Sequence, residues 1–242
     1  MKKYLLIIAI LILAGCKPEQ VNLSNVLRSI SVSNPNPLAD GTTIVYISTT
    51  MDSLADADKR SLQFETNTGV FLTANDTVIT QAAVFQKKSL IATVKLKMPI
   101  SVSTINIKVK PVTVSPRQDY LLTTSFKAAE SAPASLQLTS SAISLKSNFG
   151  SEIQLTATLR NAQNNMVSTG HRCVFEDDLP GGGRANGRFR AVKDTTDATS
   201  TVTTYYSIGA APASAFYLKC TYMNAQGQAT AVKDSVLINM IQ

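Results

Sequence analysis

Over most of this chain apolar and polar residues alternate in short runs. Leu90, Val94, Leu96 and Met98 share one parity, with Lys95 and Lys97 on the other. Ile105, Ile107 and Val109 alternate with Asn106, Lys108 and Lys110. Ile153, Leu155, Ala157 and Leu159 alternate with Gln154, Thr156 and Thr158, and Phe216, Leu218, Cys220 and Tyr222 with Tyr217, Lys219 and Thr221. Successive side chains of a strand point to opposite faces, so this period predicts half-buried strands. Thr43 to Met51 adds a β-branched and aromatic strand, and Leu62 to Thr66, Tyr120 to Phe126, Thr199 to Tyr206 and Thr230 to Ile241 add others. Turn clusters such as Asn34 to Gly41, Leu179 to Gly187 and Asn224 to Gly227 separate them. With no stretch of helical period, the pattern predicts an all-β protein.

The pattern runs twice. Lys127 to Ala134 (KAAESAPA) is small, polar and proline-containing, the composition of a joint between domains. Across it Ile44 answers Ile153, Phe64 answers Phe175 and Ile105 answers Phe216, at offsets of 109, 111 and 111 residues. About seven short strands in roughly 100 residues is what an immunoglobulin-like sandwich requires. The expectation is two tandem Ig-like β-sandwiches, over residues 26–127 and 134–242. Apolar residues make up 44% of the chain, enough for two cores, and Trp is absent.

Three stretches carry a family resemblance: ADGTTIVYI early in the first half, EIQLTATLRNAQNNMV in the second, and an apolar-Phe strand before a glycine-containing turn. With these, each half resembles the bacterial Ig-like domains of the invasin/intimin group. The resemblance implies a surface-presented binding or spacing module.

The N-terminus sets the location. Met1-Lys2-Lys3 is positive, Tyr4 to Leu13 is uninterrupted apolar sequence, and Leu13-Ala14-Gly15-Cys16 follows. The apolar run is shorter than the roughly 20 residues that span a bilayer and has the length of a secretory h-region. The Leu-Ala-Gly-Cys order resembles the lipobox of bacterial lipoproteins. That resemblance implies a signal peptide over 1–15, acylation of Cys16 as the mature N-terminus, and a membrane partner through the lipid. Lys17, not Asp, follows Cys16, and Asp there favours inner-membrane retention in many Gram-negative bacteria; the expectation is therefore the outer membrane, on its periplasmic or surface face. Residues 16–25 form a polar tether reaching about 30 Å when extended. Losing Lys2 and Lys3 with the leader lowers the net charge of +7 by two. The remaining charge suits anionic surfaces, but no nucleic-acid module is present, and export argues against that partner.

Candidate chemistry is sparse. His171 is the one histidine; it lacks a nucleophile elbow and ligand-spaced partners, and is expected to be an exposed or edge residue. Asp177 and Asp178 are adjacent, so they point to opposite faces of a strand and are expected in a solvated loop. Asp52, Asp56 and Asp58 crowd one connection, either a Ca²⁺ loop or a charged link; the missing Gly and distal Glu of an EF-hand favour the link. Gly181-Gly182-Gly183 lacks the Lys-Ser/Thr of a phosphate loop and is expected to be a hairpin tip, with Arg184, Arg188 and Arg190 as a candidate contact loop. Neither a metal, a cofactor nor enzymatic activity is expected. Without Trp, a glycan-stacking platform is disfavoured.

Cys173 and Cys220 share parity with apolar neighbours, so both are expected in the second core. In the Ig strand order they fall on neighbouring strands, and a disulfide is expected in an exported protein. Ser53, Thr77, Thr195 and Ser235 each follow an Asp in a pattern similar to a bacterial O-glycosylation sequon. Lys95, Lys97, Lys108 and Lys110 face outward, either to protect sheet edges or to form a basic face near anionic lipid. The function expected is adhesion, binding or spacing by an anchored envelope protein, with a protein or glycan partner at the distal domain. The alternatives are an accessory subunit of an envelope import or assembly complex and a glycan-binding lipoprotein.

Overall fold

The structure is a computed structural model and describes residues 23, 26–113, 120–191, 193–210 and 213–241. The leader, Cys16 and all of the tether except Leu23 lie outside the described residues. The first half holds β1 (Leu27–Val32), β2 (Ile44–Met51), β3 (Ser61–Thr66), β4 (Val70–Phe71), β5 (Val78–Ala82), β6 (Val84–Gln86), β7 (Ser89–Lys97), β8 (Thr104–Pro111) and β9 (Leu122–Lys127). The second holds β10 (Ser135–Ser140), β11 (Ser144–Lys146), β12 (Ile153–Arg160), β13 (Arg172–Asp178), β14 (Arg188–Ala191), β15 (Thr201–Ser207), β16 (Ala215–Met223) and β17 (Ala229–Ile241).

The strands form four sheets. In the second half, β10-β12-β15-β14 faces β11-β17-β16-β13, the ABED and CFG arrangement of an Ig sandwich with β11 added beside the last strand. In the first half, β1-β2-β7-β4, with β6 also on β7, faces β5-β3-β8-β9. Each pair of sheets encloses its own core. Val45, Ile47, Phe64, Phe71, Leu96 and Ile105 lead the first cluster, and Leu155, Leu159, Tyr206, Phe216 and Leu218 the second. The all-β, tandem-sandwich expectation matches this architecture.

One phase differs. Ile44 is exposed and Val45 is buried, whereas Ile153 is buried. Ile44, Val45 and Tyr46 are three consecutive apolar residues, so alternation could not set the phase there, and Val45 takes the inward position.

The two sandwiches meet through hydrogen bonds. Ser168 Oγ donates to the Ala39 carbonyl at 2.7 Å and accepts from the Ser131 amide at 2.9 Å. The Thr169 amide donates to the Ile100 carbonyl at 3.0 Å. His171, expected to be exposed, is only 5% exposed and lies at this joint. Its Nε2 donates to the Ser131 carbonyl at 3.0 Å, its Nδ1 lies 3.6 Å from Glu130 Oε1, and its ring meets Tyr222 edge-on. The joint segment folds back over the strand start and buries the ring.

Of the two readings of the outward lysines, one shared basic face does not fit the sheets. Lys95 and Lys97 lie on β7 and Lys108 and Lys110 on β8, which belong to different sheets. The two pairs therefore face opposite sides of the sandwich. Lys110 Nζ lies 3.0 Å from Glu65, and Lys95 lies over the Tyr46 ring.

Candidate binding surface at the distal loops

Register fixes which end of the second sandwich is free. β12 begins at Ile153, opposite Tyr206, and ends at Arg160, whose carbonyl accepts from Ala134 at the joint. Asp178 pairs with Tyr217, and Arg188 with Ser207. The β10–β12, β13–β14 and β15–β16 connections thus share the end away from the joint.

The β13–β14 loop is held from beneath by Asp177. Expected in solvent, Asp177 is instead a buried residue of β13. Its Oδ2 accepts from the Gly187 amide at 2.7 Å and the Tyr206 hydroxyl at 2.8 Å. A buried carboxylate is tolerable when donors replace its hydration, and these two do so. Asp178 points the other way, as strand geometry requires. It accepts from Arg184 Nη1 at 2.9 Å and also from Lys219, while Arg184 also binds Glu176. The Lys219 ammonium holds the Asp178 carboxyl below its ordinary value, and Glu176 raises Arg184.

The Gly181–Gly183 tip therefore curls back over the sheet. The Leu179 amide donates to the Gly183 carbonyl at 3.0 Å, and Gly182 and Gly183 have φ of +93° and +90°, where a Cβ would be strained. A groove of about 490 Å³ results, lined by Asp178, Leu179, Gly183, Arg184, Tyr217, Lys219 and Ser235 among others. Its cations are matched by carboxylates, so it suits a polar partner of mixed charge more than a plain anion.

The three candidate arginines do not form one cluster. Arg184 lines this groove on the outer face of the β13–β16–β17 sheet. Arg188 and Arg190 project from β14 on the opposite sheet, since Phe189 between them packs on Phe175 and Tyr206. Arg188 lies over Phe149, and Arg190 lies over Tyr205 while bonding Glu152 Oε2 at 2.7 Å. Periodicity carried the outward parity of this pair; the aromatic and carboxylate partners, 15 or more residues away, did not show in it.

No protein-family model matches the sequence, and no curated protein matches it. Solved structures match by fold. The Yersinia pseudotuberculosis adhesin InvE aligns with a TM-score of 0.50 and 15% identity, over 93% of this chain and 62% of that one. Invasin, a bacterial integrin-binding protein, aligns with a TM-score of 0.61 and 14% identity, over 88% of this chain and 38% of that one. The fold is that of tandem Ig-like domains. This chain spans less than two thirds of either structure's length, and identity this low shows the fold alone.

The remaining candidates are dispersed. Cys173 and Cys220 are both buried, in the second core, as free thiols and not the expected disulfide. Cys173 pairs with Tyr222, and Cys220 with Phe175, so the cysteines are diagonal neighbours two residues out of register. The adjoining Cys173 sulfur, with burial, pushes the Cys220 thiol upward, which keeps it protonated. Thr77 and Ser235 are exposed, whereas Ser53 and Thr195 are half-buried. Asp52 pairs with Arg28 at 2.6 Å and Asp56 with Lys59 at 2.6 Å. Asp58 lies 4.0 Å from Lys59. Among the described residues no group of three or more His, Cys, Asp or Glu is arranged to hold a metal ion.

Proposed function

We propose that this chain is a lipid-anchored protein of the bacterial envelope that holds two Ig-like sandwiches end to end and presents the distal loops of the second to a protein partner. One observation carries the reading, the polarity of the fold. β1 begins opposite Met51, at the end of the first sandwich away from the joint, and the Leu179–Arg184 loop lies at the far end of the second. An anchor at Cys16 and a contact surface at the loop would sit at opposite ends of the molecule. The likeness to invasin and InvE supports presentation over catalysis. A protein partner suits the surface better than a glycan, because the Tyr205 ring is covered by Arg190 and the groove is ringed by paired charges.

The test has two arms. Metabolic palmitate labelling and detergent partitioning should both depend on Cys16; a Cys16→Ala chain that is still processed and membrane-bound removes the anchor. Crosslinking on intact outer-membrane-bearing cells should capture a partner in a manner lost with Arg184→Ala and Tyr217→Ala. A stoichiometric importer or assembly machine in the captured material would replace adhesion with the accessory-subunit reading.

A further inference from the structure

The end of the first sandwich where the chain enters has an unusual surface. The Asp52 amide donates to the Val26 carbonyl at 3.1 Å, so the β2–β3 loop lies directly beside the incoming chain. Leu54 at the tip of that loop is 88% exposed. β6 reaches the same end across β7, since Phe85 pairs with Leu90 and Leu90 with Met51. Val84 and Phe85 there are 54% and 58% exposed, and the Arg60 guanidinium lies 5.5 Å from the Phe85 ring centroid, adding a cation beside that tip. Val112, whose amide bonds the Ser61 carbonyl at the same end, is 50% exposed. The opposite end of this sandwich meets the second through Ile100 and Ala39, so these apolar tips lie at the end away from the joint.

Charge at this end is arranged to match. Asp52 is paired to Arg28, and Asp56 and Asp58 lie against Lys59. Lys87 and Lys88 form the two-residue tip of the β6–β7 hairpin, with Lys87 at φ +59°. Among the described residues neither has an ion-pair partner. Apolar tips flanked by unpaired lysines are the composition that lies in a headgroup boundary and is drawn to anionic lipid.

We propose that the end of the first sandwich beside Val26 is a membrane-resting surface, with Leu54 and Phe85 in the headgroup boundary of an anionic bilayer and Lys87 and Lys88 on its phosphates. The proposal rests on the anchored reading above, because a tether of about nine residues reaches only about 30 Å and would hold this end against the bilayer. The anchor would then fix an orientation as well as a location, standing the two sandwiches away from the membrane.

The absence of Trp gives a clean probe. The described residues of both cores begin at Leu23, so the chain from Cys16 on retains them. It is coupled at Cys16 to a maleimide lipid in phosphatidylethanolamine/phosphatidylglycerol vesicles, with Leu54→Trp, Phe85→Trp or, at the distal tip, Ile143→Trp as the single fluorophore. Lipids brominated in the acyl chain should quench the first two at least about twofold and blue-shift them, leaving the third unchanged. Solvent-like emission at 54 and 85, or equal quenching at 143, overturns the proposal. For the untethered chain, Lys87→Gln with Lys88→Gln should weaken binding to phosphatidylglycerol vesicles at low salt by about fivefold per lysine; unchanged binding also counts against it. Because the tether is chemical, failure here tells against this surface alone, whereas failure of Cys16 acylation in cells tells against the anchor.

Discussion

The Tyr206 hydroxyl donates to Asp177 Oδ2 at 2.8 Å, and both groups are buried in the second sandwich. The bond joins β15 of one sheet to β13 of the other, directly under the distal loop. Burial, and then the Asp177 carboxylate, push the Tyr206 hydroxyl well above its ordinary value. Tyr206→Phe leaves Asp177 Oδ2 with the Gly187 amide as its one donor among the described residues and should cost about 1.5–3 kcal/mol, measured by urea denaturation. A Cβ on Gly187 would fall 2.1 Å from the Tyr206 oxygen, so Gly187→Ala should destabilise comparably by forcing the ring away. A folded-state value above the unfolded one gives stability that is fully present below about pH 10 and is lost as pH rises beyond it. That alkaline loss should be absent from Tyr206→Phe.

Much of the fold was legible because a strand has one simple code. Ile105, Ile107 and Val109 are all buried as their alternation requires, and so are Phe216, Leu218 and Cys220. The code failed where apolar residues ran consecutively, as at Ile44-Val45-Tyr46. It also failed where a polar residue is buried by partners distant in sequence. Asp177 looked like loop because its donors are Gly187 and Tyr206, and His171 looked exposed because the segment that covers it lies at Glu130 and Ser131. Side-chain satisfaction is a tertiary property and leaves no period in the sequence. The candidate surface was legible as a loop with glycines and arginines, but its division between two sheets was not.

Asp197 turns the chain into β15. Its Oδ1 accepts from the Thr199 amide at 2.8 Å and the Thr201 amide at 3.0 Å, and both threonine hydroxyls bond the carboxylate as well. Burial acts to raise its pKa, but these bonds outweigh it and hold the value at about 2, from 3.8. A depressed folded value gives stability that is present above the unfolded value and is lost as pH falls through the folded one. The contribution is about 2 kcal/mol and should fade between about pH 4 and pH 2. Comparing Asp197→Asn with the parent by denaturant titration should show a gap at pH 6 that closes at pH 2; a gap independent of pH would contradict this.

Cys173 and Cys220 should behave as two buried, unreactive thiols. Native protein should resist alkylation at both positions, and denatured, non-reduced protein should take up two labels there, with no change on prior reduction. Cys220→Ala should cost about 1–2 kcal/mol for a small buried group, with no further loss on adding Cys173→Ser beyond its own burial cost. A mass two units lower before reduction would establish the bridge instead.

The joint should be stiff, and Ser168 should be its weakest point to attack. Ser168 is buried, and its hydroxyl serves both the Ala39 carbonyl of the first sandwich and the Ser131 amide of the linker. Among the described residues neither atom has another hydrogen bond, so Ser168→Val leaves a buried donor and a buried acceptor without those partners. Each such orphan costs about 1–3 kcal/mol. The cores themselves are untouched, so the loss should appear as uncoupling of the two sandwiches rather than as unfolding of either. In calorimetry the parent should unfold with the two units linked, and Ser168→Val should split or broaden the transition. Small-angle scattering should show a wider distribution of maximum dimensions. If the anchored end is to hold the distal loops at a fixed distance from the membrane, partner capture on cells should fall in the same variant although the loop residues are unchanged. Unaltered scattering and unaltered capture would show that the Ser168 bonds contribute nothing to the rigidity of the pair.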